Sequence, residues 1–174
     1  MSLHTIGGER LSKPFDVNGQ HWLAIRDHVR TVSLARALSI NPADRQNVPN
    51  QNWVVSFLSG CSKLESLHMN KVEPNWPFFR LNFDSLRNIT LKNVRAPGIG
   101  FHNFIVQNAG LLETIICNYV ILKREVEGML YDLWYRDVNP RAVSWLKVVD
   151  ILGSIPYLKK CHLSELIQME ISPV

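Results

Sequence analysis

The sequence predicts an α/β fold, a short irregular solenoid with a curved parallel sheet of about five strands and helices and loops on the convex side. Three observations point there. Apolar residues recur at offsets 0, 3, 5 and 8 in five windows, which start at Val29, Leu64, Leu86, Leu112 and Leu158. Most windows follow a helix-like segment, often closed by a glycine such as Gly60, Gly110 or Gly153. Offsets 3 and 5 are two residues apart, so in a strand both point to one face, while offsets 2, 4 and 6 take the other. A crossover between successive strands makes them parallel. One such unit cannot bury its apolar face alone, but stacked neighbours share a core.

Counting supports the repeat. With 46% apolar residues, four apolar positions alone arise in about one window of twenty. Requiring polar residues at the five intervening places leaves less than about one chance window in the chain. Leu64–Val72, Leu86–Val94 and Leu158–Leu166 meet the stricter test.

Taken in order, residues 1–17 read as an irregular leader to a single repeat domain spanning 1–174. Asn18 can cap a helix to about Asp27, with Trp22 and Ile25 at helical spacing. The first strand, 29–37, carries Val29, Val32, Leu34 and Ala37, and a polar loop follows to Pro49. A helix starting near Asn50 or Asn52 has Trp53, Val54, Phe57 and Leu58 as its stripe and Gly60 as its terminator. The second strand, 64–72, holds Leu64, Leu67, Met69 and Val72. Pro74 and Pro77 then forbid a regular helix, so Trp76, Phe78, Phe79 and Phe83 fold back on the convex side. The third and fourth strands, 86–94 and 112–120, flank a helix from about Ile99 to Asn108. An insertion, 123–140, contains an amphipathic helix with Val126, Met129, Leu133 and Trp134. A last helix, near Ala142 to Leu152, uses Leu146, Val149 and Leu152 and precedes the fifth strand, 158–166.

Composition narrows the chemistry. The net charge of +4 permits an acidic partner, but no dense Lys/Arg run demands nucleic acid. No apolar run is long enough to span a bilayer and no signal-peptide profile opens the chain, which places it in the cytoplasm or nucleus. Cys117 and Cys161 occupy apolar positions of the pattern, so buried reduced thiols are expected. The histidines form no HExxH-type pair, and P-loop, GxGxxG and GxSxG motifs are absent, so neither metal, cofactor nor small-molecule substrate is expected. Cys161 and His162 do not make a catalytic pair, because adjacent strand residues face opposite ways and the thiol belongs in the core. An enzyme is not expected.

The strand pattern LxxLxLxxV behind a helix resembles the leucine-rich repeat, and more narrowly the repeat region of fungal F-box/leucine-rich-repeat proteins. The segments that carry the resemblance are HWLAIRDHVRTVSL, LESLHM, SLRNITLKNVRAPGIGFHNFIVQNAGLLETIIC and VSWLKVVDILGSIPYLKKCHL. It implies a protein-interaction module of the kind that recognises ubiquitin-ligase substrates. No F-box is recognisable, and Ala37, Val72, Val94, Val120 and Leu166 stand where the family usually has Asn or Cys.

The expected function is therefore partner binding on the concave face formed by offsets 2, 4, 6 and 7. Arg36, His68, Lys71, Lys92, Asn93, Ile116, Tyr119, Lys160 and His162 are the candidate contacts. Among the face's charged residues, Arg36, Lys71, Lys92 and Lys160 oppose only Glu165, which suits an acidic protein segment. Ile116 and Tyr119 would anchor it. The competing readings are weak nucleic-acid contact through this basic strip, and a truncated fragment that self-associates through its uncapped C-terminal strand.

Overall fold

The computed structural model describes residues 2–6, 25–35, 52–72, 74, 76–123 and 144–169. The fold is α/β, with one open parallel sheet whose strands lie in chain order. They are β1 Ser2–Ile6, β2 Thr31–Ala35, β3 Ser66–Asn70, β4 Asn88–Pro97, β5 Thr114–Lys123 and β6 Lys160–Met169. The helices are α1 Asn52–Ser59, a 3-10 helix at Trp76–Arg80, α2 Gly98–Asn108 and α3 Trp145–Ser154. Among the described residues no helix is long and apolar enough to cross a membrane.

The repeat offsets are also the sheet register. Val32, Leu67, Ile89, Ile115 and Cys161 stand side by side, as do Leu34, Met69, Leu91, Cys117 and Leu163. From Val32 to Cys117 these residues are at most 3% exposed. They join the helices in one continuous buried cluster. Two hydrophobic ladders thus run across the strands, and the side chains between them take the other face.

The helix layer follows the same logic. Val54, Phe57 and Leu58 are the buried stripe of α1. Gly60 ends that helix, but its φ is not left-handed. Its missing side chain makes room for Arg26, whose Nη1 donates to the Ser56 carbonyl at 3.3 Å. After Pro74 the chain makes only the short 3-10 helix, which drives Phe78 and Phe79 into the core. Their rings meet Phe104 of α2 at centroid distances of 5.8 and 6.0 Å, and Phe83 reaches the same ring at 6.3 Å. Gly100 lets α2 approach closely, since a Cβ there would lie 3.2 Å from the Cβ of Phe79. Asn108 is the buried polar residue among those described. It accepts from the Phe83 N–H at 2.9 Å and donates to the carbonyls of Leu81 and Phe104 at 3.2 and 2.8 Å, which pins the loop after the 3-10 helix onto α2.

Several expectations need correction. Among the described residues the sheet has six strands, because Ser2–Ile6, inside the expected irregular leader, pairs in parallel with β2. Thr5 interrupts the four-point apolar pattern there, and the strand is defined by the β2 edge that accepts it. Strands β4, β5 and β6 run past offset 8 to Pro97, Lys123 and Met169, so the expected insertion begins inside β5's last residue. On α3 the buried residues are Val148 and Leu152, whereas Leu146 is 77% and Val149 43% exposed. Cys161 is exposed, although it occupies an inward position. The helix expected up to about Asp27 is described from residue 25 onward, with residues 25 and 26 helical and Asp27 already in a turn. Trp22, the 126–134 helix and the side chains of Trp53 and Trp76 lie outside the described residues.

Candidate partner-binding face

Offsets 2, 4 and 6 build a grid on the face away from the helices. Its first row is Thr31, Ser66, Asn88, Thr114 and Lys160; its second is Ser33, His68, Thr90, Ile116 and His162; its third is Ala35, Asn70, Lys92, Asn118 and Ser164. Each of these residues is half-buried or exposed, and among the described residues no element packs over this face as the helices do over the other. Rows are filled mainly by small hydroxyl and amide side chains, and Asn88 Nδ2 donates to Ser66 Oγ at 3.1 Å across two strands.

The fourth column of residues is conformational. Lys71, Asn93, Tyr119 and Glu165, all at offset 7, have φ values of 56°, 52°, 55° and 52°. A left-handed residue lets the chain present two consecutive side chains outward and still return offset 8 to the core. Val72, Val94 and Val120 are accordingly no more than 2% exposed. Asn tolerates this conformation readily, but Lys, Tyr and Glu do not favour it. At Lys71 neighbouring backbone holds it: the Lys71 N–H donates to the Lys92 carbonyl at 2.9 Å, and the Arg95 N–H to the carbonyl of the following Val72 at 3.3 Å. Such residues are rare outside glycine, and four in register mark one border of the face.

The opposite border is a charge ladder at offset 1. Arg30, Glu65, Arg87, Glu113 and Lys159 alternate in sign along the sheet. Arg30 pairs with Glu65. Glu113 receives Arg87 Nη1 at 2.6 Å on one carboxylate oxygen and Lys159 Nζ at 2.7 Å on the other. Hydrogen bonds from Lys159 first, then Arg87, hold the Glu113 carboxyl below its ordinary value. The backbone repeats the motif, since each carbonyl at offset 1 accepts two N–H groups from the next unit. Arg30 accepts from Glu65 and Ser66 at 2.8 and 2.9 Å, and Glu113 from Lys159 and Lys160 at 2.8 and 3.0 Å. Sequence reasoning missed this ladder, although aligning the five windows displays its alternating signs.

Between those borders the candidate contacts are dispersed. His68, Ile116 and His162 share the middle row, with Thr90 between the first two. Lys71 and Lys92 are neighbours near the left-handed border. Lys160 stands in the first row on β6, so the cations do not form one patch. Tyr119, 40% exposed, and Asn93 stand in the left-handed column. Arg36 lies outside the described residues.

No family model, curated protein or solved structure matches this chain. Its chemistry is therefore argued from its own side chains. Burial pushes the Cys61 thiol up to about 11 and Cys117 to about 12, and Cys161 is also raised by burial. None of the three is activated as a thiolate at neutral pH. Cys161 and His162 occupy successive register positions, paired with Ile115 and Ile116 on opposite faces of the sheet. Among the described residues no group of three or more His, Cys, Asp or Glu side chains is placed to hold a metal ion.

Proposed function

We propose that this chain is a protein-recognition module of the leucine-rich-repeat type, which binds an acidic segment of a partner protein across its open sheet face. The observation that carries the proposal is the grid of β2 to β6, half-buried or exposed among the described residues and backed by the buried ladders. A broad face of short polar side chains suits hydrogen bonding to an extended segment, while Ile116 and Tyr119 supply apolar contact. Lys71 and Lys92 favour acidic partners at one corner and Lys160 at another. Unit-to-unit register and the recurring left-handed residue at offset 7 support the repeat architecture. The spread of the cations disfavours nucleic acid, whose phosphates call for a denser track.

Selection from a displayed library of acidic peptides tests this. The wild-type chain should enrich a common motif, and the combined Ile116→Ala and Tyr119→Ala variant should lose it with its melting temperature preserved. Equal enrichment by both proteins would refute the proposal. The role in ubiquitin-ligase substrate recognition is a further part of it, and calls for co-purification of adaptor and cullin subunits with the chain from its own cells.

A further inference from the structure

Among the described residues, the far edge of β6 pairs with no strand. Each inner strand is completed by its successor in two ways: an opposite charge at offset 1, and apolar residues at offsets 3, 5 and 8. At β6 both completions are open. Lys159 ends the charge ladder with its side chain 73% exposed, and its carboxylate partner Glu113 lies on the inner side. Cys161 is exposed and Leu163 and Leu166 are only half-buried, where Ile115, Cys117 and Val120 of β5 are fully buried. α3, whose N-terminus is bonded to β6, also carries exposed apolar residues, Leu146 and Val149, and Tyr157 after it is 61% exposed. Trp145 ties the two elements together: its indole N–H donates to the Ile167 carbonyl at 3.1 Å and its backbone N–H to Gln168 Oε1 at 3.2 Å.

We infer that β6 is a docking edge for a parallel strand from a partner protein, led by a carboxylate that meets Lys159 and followed by apolar residues two, four and seven places later. Charge complementarity selects this occupant, because cations at this ladder position meet acids in the Arg30–Glu65, Arg87–Glu113 and Lys159–Glu113 pairs. A second copy adding its β1 in the same register would bring Thr5, not an apolar residue, to offset 5. The binding mode is strand addition, in which backbone hydrogen bonds give affinity and the side-chain pattern gives selectivity.

A peptide with the sequence of Leu64–Val72 is a ready probe, since it leads with Glu65 and carries Leu67, Met69 and Val72 at the required spacing. Labelled at its N-terminus, it is titrated with the full chain and followed by fluorescence anisotropy. The wild-type chain should bind it, and Lys159→Glu should weaken binding roughly five- to tenfold. The same peptide carrying Glu65→Lys should recover that loss on the Lys159→Glu chain, which a merely destabilised variant would not do. The Ile116→Ala and Tyr119→Ala chain should bind the probe as wild type does, which separates this edge from the open face. Absence of binding, indifference to both charge reversals, or dimerisation of the peptide-free chain that Lys159→Glu abolishes would overturn the inference.

Discussion

Strands β5 and β6 repeat one pattern of residues and end in opposite environments. Ile115, Cys117 and Val120 are sealed at 0% exposure, while Cys161, Leu163 and Leu166, their register partners, are exposed or half-buried. The difference lies in their neighbours. β5 has a strand on each side and α2 and α3 among the elements of its buried cluster, whereas among the described residues β6 has a strand on one side only. The pattern specifies which way a residue points. Whether water is excluded there depends on the next layer.

Thiol labelling under native conditions should give the largest contrast. Cys161 should react first, and Cys61 and Cys117 at least roughly a hundredfold more slowly, because their labelling requires opening of the core. Equal rates for Cys117 and Cys161 would break the comparison. Truncation should show the same asymmetry in stability. Ile115→Ala should cost about 2–5 kcal/mol in urea unfolding, and Leu163→Ala about 1 kcal/mol, because Leu163 is only half-buried and water can refill its site. Asn108→Ala tests the interior from its polar side. Loss of the amide strands the Phe83 N–H and the Leu81 carbonyl in a buried site, for a cost of about 2–3 kcal/mol.

The smallest effect belongs to the charge ladder that joins the two strands. Glu113 has its folded-state pKa lowered by Lys159 and Arg87. Its contribution to stability is therefore fully present above the ordinary value of 4.5 and is lost as pH falls through the lower folded-state value. Glu113→Gln should flatten the acid limb of the stability-against-pH curve below about pH 4.5 relative to wild type. An unchanged limb would show that these exposed pairs do not outlast solvent screening.

Particular residues show how much was legible. Leu67, Met69, Ile89 and Leu91 could be placed in the core from spacing alone, since a period of two sends them to one face whatever their neighbours are. The lack of a regular α-helix after Pro74 and the inward folding of Phe78 and Phe79 were legible through Pro74 and Pro77, whereas the 3-10 helix itself was not. Lys71, Tyr119 and Glu165 gave no sign of their left-handed backbone, because these residue types do not favour it and only adjacent strands impose it. Val149 and Leu146 looked like core because a helix stripe is broad, and the packing of α3 buried Val148 in their place beside the expected Leu152. Of the candidate face, the middle row of His68, Ile116 and His162 followed from the offsets, whereas the dispersal of the lysines needed the register between strands.

By itself, the sequence determined the parallel order of the repeated strands, their register and the two apolar ladders, because side-chain alternation is a local property of an extended chain. Tertiary structure alone decided three things: the pairing of Ser2–Ile6, the left-handed border, and the exposure of the β6 edge. Each depends on which backbone or side chain stands beside a residue in space, and a strand's own residues do not encode where its neighbours stop.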